Sequence, residues 1–228
     1  MEKLNVLYED NHVIVVLKPQ NVPTQEDESQ DLDMLTMVKD YIKEKYNKPG
    51  NVFVGLVHRL DRPTGGVMVF AKTSKAATRL SEQVKNKDMT KKYLAVTSKV
   101  PEKESGKLSN YLLKNPKTNT VTVVPQLTSG AKLAELEYKV LDSVGGRALV
   151  EVNLFTGRSH QIRVQFKHIG CALVGDAKYG VATSNKKLAL WAYFLKFKHP
   201  VSGQILTFKV LPPTDETPWN MYNYNKLV

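Results

Sequence analysis

Short apolar runs, rich in β-branched residues and broken by polar turns, follow one another along most of this chain. Residues 6–8 and 13–17 flank Glu9-Asp10-Asn11, which predicts an opening β-hairpin. The period then changes: Leu35, Val38 and Ile42 share one face of a helix capped by Ser29 or Asp31, running to about Asn47 and stopped by Pro49-Gly50. Two further apolar runs, 52–57 and 67–70, predict strands on either side of a polar loop. A second helix follows, capped by Ser74, with Ala77, Leu80 and Val84 inward. From there to residue 155 the pattern is strand after strand: 93–97, 108–113, 120–124, 131–141 and 148–155. Residues 114–119 and Gly145-Gly146 supply turns between them. A helix over 159–169 stops at Gly170. Residues 193–198 and 205–210, joined by Pro200-Val201-Ser202-Gly203, form a closing hairpin. There is no internal repeat and no low-complexity linker. The expectation is one α+β domain over residues 1–228, with a mostly antiparallel (mixed) central sheet flanked by helices and loops.

Composition narrows the class. A chain of 228 residues, 42% hydrophobic and 24% charged, can bury one substantial core. No run approaches the ~18 apolar residues of a membrane span, and the N-terminal apolar run 13–17 is too short for a secretory leader. A cytoplasmic location and no membrane partner are therefore expected. Cys171 is the only cysteine, which excludes an internal disulfide and a Cys-x-x-Cys zinc pair. The five histidines are scattered, so no metal site is expected. The excess of 33 Lys and Arg over 22 Asp and Glu gives +11. Such a balance fits either a nucleic-acid partner or a solubilising surface.

Two short stretches concentrate the chemistry. His58-Arg59-Leu60-Asp61-Arg62-Pro63-Thr64-Gly65-Gly66 sets one carboxylate between two arginines on a Pro/Gly-bounded loop. Neighbouring cations favour the ionised acid, which suits a nucleophile or a charge clamp better than a proton donor. A plain loop salt bridge reads the same residues equally well. Gly157-Arg158-Ser159-His160-Gln161-Ile162-Arg163 repeats the theme after a strand, and as a helix start it would aim backbone donors at an anion. The chain has only six arginines, and four of them lie in these two stretches. Arginine's planar fork suits carboxylate and phosphate, whereas lysine serves mostly as solvated charge. That segregation predicts two loops serving one site. Lys85, Lys87, Lys91 and Lys92, next to Tyr93, are placed for an RNA backbone or simply form a solvated face.

The two motifs together resemble the RluA-type pseudouridine synthases of RNA. Residues 6–19 are similar to that family's opening hairpin and Lys92-Tyr93-Leu94-Ala95 to its tyrosine motif. Gly175-Asp176 with Tyr179-Gly180, Leu190-Trp191-Ala192 and His199-Pro200 are similar to its later blocks, in the same order. The resemblance implies isomerisation of uridine to pseudouridine in structured RNA, ribosomal RNA being favoured and transfer RNA possible, with no cofactor and no metal. It implies Asp61 as nucleophile, attacking either the ribose or the uracil ring, and Arg163 as its paired cation. Tyr93 would stack on the flipped uracil, Leu190 would line the uracil pocket, and Arg59 would enter the helix stack behind the flipped base. Arg62, Arg158 and His160 are assigned to RNA contact. The family's N-terminal accessory RNA-binding domain is expected to be absent, and the protein to act as a monomer. Gly65, Gln165, Cys171 and Trp191 depart from the family pattern and bear on the RNA target. Two other readings compete. A nucleosidase would need a second carboxylate about 5–5.5 Å from the first, and a non-catalytic ribosome assembly factor would bind RNA without turning it over.

Overall fold

A computed structural model describes residues 4–180 and 187–227. In chain order its strands begin with β1 (Asn5–Glu9), β2 (Val13–Lys18), β3 (Gly55–Leu56), β4 (Gly65–Ala71) and β5 (Thr90–Thr97). They continue with β6 (Ser105–Asn115), β7 (Thr120–Val124), β8 (Lys132–Val144), β9 (Arg147–Leu154), β10 (Leu190–Lys198) and β11 (Ile205–Lys209). The helices are α1 (Met34–Lys45), α2 (Ser74–Lys85) and α3 (Gln161–His168). The chain divides into two compact units: residues up to Thr90 with Ala192–Val210, and Lys91–Trp191 with the C-terminal segment from Leu211. The pairings β1–β2, β2–β4, β3–β4, β5–β9, β6–β7, β6–β8, β8–β9 and β10–β11 are antiparallel, and the expected α+β class with a mixed sheet is what the chain forms.

In the first unit the strands run in the order β1-β2-β4-β10, with β3 added on β4 and β11 on β10. Alternation decides which side chains meet. Val13, Val15, Val67, Val69, Ala71, Leu195 and Phe197 share one core with Ala76 and Leu80 of α2. Their neighbours Ile14, Val16, Met68 and Phe70 are also fully buried, so both faces of these strands are covered. This explains why β2 and β4 read as continuous apolar runs rather than as alternating ones. In the second unit the order is β5-β9-β8-β6-β7. Leu112, Val121, Ala134 and Val164 pack with Tyr179, joining β6, β7 and β8 to α3.

Several boundaries differ from the sequence reading. Helix α1 is capped by Asp33, not Ser29 or Asp31: its carboxylate accepts from the backbone of Leu35 and Thr36 and from the Thr36 hydroxyl. Its buried face is Met34, Met37, Val38 and Ile42, and Leu35 is only half-buried. The cap of α2 is Thr73, one residue before Ser74. The run 52–57 yields only the two-residue β3, because the segment before it makes no ladder. Helix α3 starts at Gln161, since His160 stands in the left-handed region at φ 52° and ends the preceding turn.

One ionic cluster fastens α1 to the opening hairpin. Glu9 accepts from Lys45 Nζ and Lys72 Nζ, both at 2.6 Å, and from the hydroxyls of Tyr41 at 3.1 Å and Tyr46 at 2.9 Å. Burial alone would raise its carboxyl, but these partners outweigh that and hold it at about 2, against an ordinary 4.5. The unfolded chain therefore takes up this proton near pH 4.5 and the folded one only near 2. Glu9's contribution is complete above about pH 4.5 and is lost as the pH falls towards 2. Glu9→Gln should be less stable than wild type by about 2 kcal/mol at pH 6.5, with the difference shrinking towards zero near pH 2. Urea unfolding at both pH values checks this. A difference that persists in acid would assign the effect to packing rather than charge.

Candidate active site and its backbone cradle

The Asp61 loop joins β3 to β4, and its carbonyls are taken up one after another by residues 18–24. Thr24 Oγ1 donates to Leu60 O at 2.8 Å and accepts from Leu60 N at 3.3 Å. Asn21 N donates to Arg62 O at 2.8 Å, and Gln20 Nε2 to Pro63 O at 2.9 Å. Within the loop, Thr64 N donates to Asp61 O at 2.9 Å. Lys18 completes the set: its Nζ donates to Pro19 O at 2.9 Å, Arg62 O at 3.0 Å and Thr64 O at 2.8 Å. All three ammonium hydrogens thus have acceptors, two of them in the loop. Lys18 is 0% exposed, so this is a buried cation inside a polar cradle.

The other end of the loop is fixed by close approach. Gly66 has φ +128°, and a Cβ there would lie 2.3 Å from Ala192 O and 2.6 Å from Ala192 N. Only glycine fits. His58 Nε2 accepts from Val69 N at 3.1 Å, so the neutral ring carries its proton on Nδ1. Asp61 is half-buried and Arg59 exposed, so the loop is rigid at the backbone while its charged side chains reach the surface. Arg62 turns towards the acidic segment 26–33: Nη2 bonds Asp31, and Nη1 donates to Ser29 Oγ at 2.7 Å and lies 3.6 Å from Asp27 Oδ2.

In the second unit the arginine motif is bound up with Asp176. Arg163 Nε and Nη2 donate to the two Asp176 oxygens at 2.8 and 2.7 Å, a bidentate pair in which both side chains are buried. Asp176 Oδ1 also accepts from the backbone of Lys178 and Tyr179, both at 3.0 Å. Burial works to raise this carboxyl, but Arg163 and the two amides hold it below the usual range. The Tyr179 ring lies 5.0 Å from the Arg163 guanidinium, and its hydroxyl sits 2.6 Å from His160 Nδ1 while accepting from Val121 N at 2.8 Å. His160 and Arg163 are therefore brought together through one tyrosine. Arg158 is exposed, with Nε donating to Leu133 O at 2.9 Å, and its amide is capped by Gln161 Oε1 at 3.0 Å.

Tyr93 and Leu190 are buried, at 6% and 4% exposure, on β5 and β10. Lys91, two residues before Tyr93, has its Nζ 3.8 Å from where a Gly157 Cβ would stand, and burial lowers its ammonium. Three residues packed around the motifs were not given these partners in the sequence reading. Lys18 reads as an ordinary strand-end lysine, and only the adjacent Pro19 marks the strand's end. Asp176 was seen as part of a motif, without a partner. Lys91 was read as either an RNA-backbone contact or part of a solvated face. Among the described residues no group of three or more His, Cys, Asp or Glu is placed to hold a metal, and no helix is long and apolar enough to cross a membrane.

Burial pulls the Lys18 ammonium from 10.5 to about 7, with the Asp61 charge opposing and Arg62 reinforcing the fall. Between those two values the unfolded chain holds the proton and the folded chain does not. Lys18 therefore makes stability rise with pH from about 7 to 10.5. Lys18→Met should abolish that rise. By orphaning the Thr64 carbonyl it should also lower stability by about 1–3 kcal/mol at pH 7. Chemical denaturation at pH 7 and 9.5 reads both effects; a variant that keeps the wild-type slope would show that Lys18 is not its source.

Residues 12–168 match the family model described as RNA pseudouridylate synthase. A protein of Helicobacter pylori (strain J99) named as an uncharacterized RNA pseudouridine synthase is 32% identical over 219 residues, covering 91% of this chain and 66% of that protein. Ribosomal large subunit pseudouridine synthase C of Escherichia coli (strain K12) is 31% identical, covering 92% and 66%. The chain thus spans just under two-thirds of the length of these relatives. The solved human RNA pseudouridylate synthase domain containing 4 shares the fold, with a TM-score of 0.77 at 24% identity over 92% of this chain and 88% of that one. On the family match and these relatives, the chain belongs to the RNA pseudouridylate synthase family, in its RluA-type branch.

Proposed function

We propose that this protein isomerises uridine to pseudouridine within structured RNA, with Asp61 as the nucleophile. The observation that carries the reading is the cradle: a loop whose carbonyls are fixed one after another, holding a half-buried carboxylate between Arg59 and Arg62. Preorganisation of this kind is what a reaction on a flipped nucleotide requires, because the flip itself already costs a few kcal/mol. The family membership and the relatives named for the large ribosomal subunit support RNA as substrate and favour ribosomal RNA.

The reaction breaks the bond from uracil N1 to ribose C1′, turns the base, joins C5 to C1′, loses the C5 proton to solvent and leaves N1 carrying a proton in its place. No electrons are exchanged with a second molecule. Asp61 attacks either C1′ or the pyrimidine ring and is regenerated when the new bond closes. Arg163 is proposed as the cation that answers Asp61, on the resemblance of the two motifs, with Asp176 neutralising its other edge. Tyr93 is proposed to stack on the uracil, a contact worth ~1–3 kcal/mol per base, with Leu190 behind it. Arg59, exposed beside Asp61, is proposed to fill the gap left by the flipped base, and Arg62, Arg158 and His160 to contact the RNA. A monomer with no cofactor suffices for this chemistry.

The test is tritium release from transcripts carrying uridine labelled at C5, using large-subunit, small-subunit and transfer RNA. Wild type should release tritium from one class of transcript, and Asp61→Asn should bind that RNA within about twofold while releasing at least ~10³-fold less. Binding should weaken steeply with salt as lysine and arginine contacts release counterions. Free uracil among the products would identify a nucleosidase instead. Tight binding with no release from any transcript would favour an RNA-binding assembly factor.

A further inference from the structure

Arg62 already holds an anion, and the chain supplies it. Residues 26–33 carry five acids in eight positions within a protein of net charge +11. Asp33 is used as the α1 cap. Asp27 and Asp31 converge on the Arg62 fork, with Ser29 between them. The serine hydroxyl donates to Asp27 Oδ1 at 2.6 Å and accepts from Arg62 Nη1 and from Asp31 N, so it has no capacity left over. Hydrogen bonds from Ser29 first, and for Asp31 from Arg62 first, hold both carboxyls below the usual range. The arrangement presents carboxylate and hydroxyl oxygens to a guanidinium, which is the pattern a phosphate presents.

The contact is built to exchange. The side chains of Arg62, Asp27 and Asp31 are 40%, 43% and 54% exposed, and exposed pairs hold only weakly. The Arg62 carbonyl, by contrast, is fixed by Lys18 and Asn21. Only the side chain is free to change partner.

We propose that Asp27 and Asp31, with Ser29, are an internal stand-in for RNA phosphate on Arg62, which an RNA backbone must displace to reach that arginine. An RNA that fits the rest of the site displaces the acids with a backbone phosphate; an RNA that does not fit leaves them in place. This rests on the reading of the chain as an RNA-modifying enzyme.

Two variants separate the contact from bulk charge. Asp27→Asn/Asp31→Asn removes two acids that hold Arg62. Glu26→Gln/Glu28→Gln removes two acids from the same segment that make no hydrogen bond or ion pair among the described residues. All are exposed positions, and matching unfolding midpoints confirm that each variant is folded. Affinity is measured by fluorescence anisotropy against salt, using a labelled transcript that releases tritium and an unrelated hairpin of equal length. The Asp27/Asp31 variant should bind the substrate transcript, which in wild type must displace the acids, about three- to fivefold more tightly, and the unrelated hairpin by no larger a factor. For the unrelated hairpin its slope of log affinity against log salt should be steeper by about one. Adding Arg62→Gln to that variant should restore the wild-type slope. Glu26→Gln/Glu28→Gln should leave the slope unchanged.

Equal slopes for wild type and the Asp27/Asp31 variant would overturn the inference, and so would equal effects from the two acid pairs. Weaker binding by the Asp27/Asp31 variant would overturn it as well, by showing that the acids assist RNA. If wild type both binds and releases tritium in those cases, the functional reading stands without the inference. A wild type that does neither removes both.

Discussion

Hydrogen-bond satisfaction of the loop from Leu60 to Thr64 is the constraint on which the Asp61 site depends. The loop runs from the half-buried β3 into the fully buried β4, and each carbonyl buried there without a donor would cost about 1–3 kcal/mol. Residues 18–24 meet them in turn. Lysine is suited to position 18 because an ammonium offers three donors that can diverge from one point. An apolar residue there would strip this donor from the Pro19 and Thr64 carbonyls and leave Arg62 O with Asn21 N alone. The resulting rigidity is selective: the backbone of the motif is fixed while Arg59, Asp61 and Arg62 keep side chains at the surface.

The second unit solves a different problem with a related device. Arg163 lies in α3 with 5% exposure, where a lone cation would be strongly unfavourable. Asp176 meets it through two parallel bonds and is itself steadied by two backbone amides from the turn that carries Tyr179. That turn also caps the edge of β7 through the Tyr179 hydroxyl. One short segment therefore orients the motif arginine, contacts His160 and anchors a strand. Replacing Asp176 would remove more than a charge, because Arg163, Lys178 and Tyr179 would all lose the same acceptor.

How much of this was legible in the sequence follows from the range of the interactions. Local signals were readable: the hairpin around Asp10, the strands of the second unit and the identity of both motifs all rest on neighbours within a few residues. Caps were misplaced by one to four residues because Ser29, Asp31 and Asp33 are chemically equivalent in sequence, and only burial under α1 selects Asp33. The shortfall of β3 was unreadable because a valine-rich run makes a strand only where a partner edge is free, and β4 pairs just two of its residues there. What Lys18 and Asp176 bind was unreadable for the same reason. Their partners lie 44 to 46 and 13 residues away, and nothing in a lysine or an aspartate announces the carbonyl or guanidinium that folding will bring to it.

The division of labour between the two basic residue types sharpens once the partners are known. The sequence places four of six arginines in two motifs, which reads as a shared preference for anions. In the folded chain that preference divides. Arg163 is committed to a buried carboxylate, whereas Arg62 is held by exposed groups that solvent or a phosphate can replace. The two kinds of holding differ by several kcal/mol, since breaking a buried pair costs about 3–5 kcal/mol and an exposed one rarely more than 1. That difference separates an arginine whose orientation is part of the fold from one whose partner is open to exchange. Sequence cannot distinguish them, because both stand in motifs of similar composition; the burial of the opposing carboxylate does.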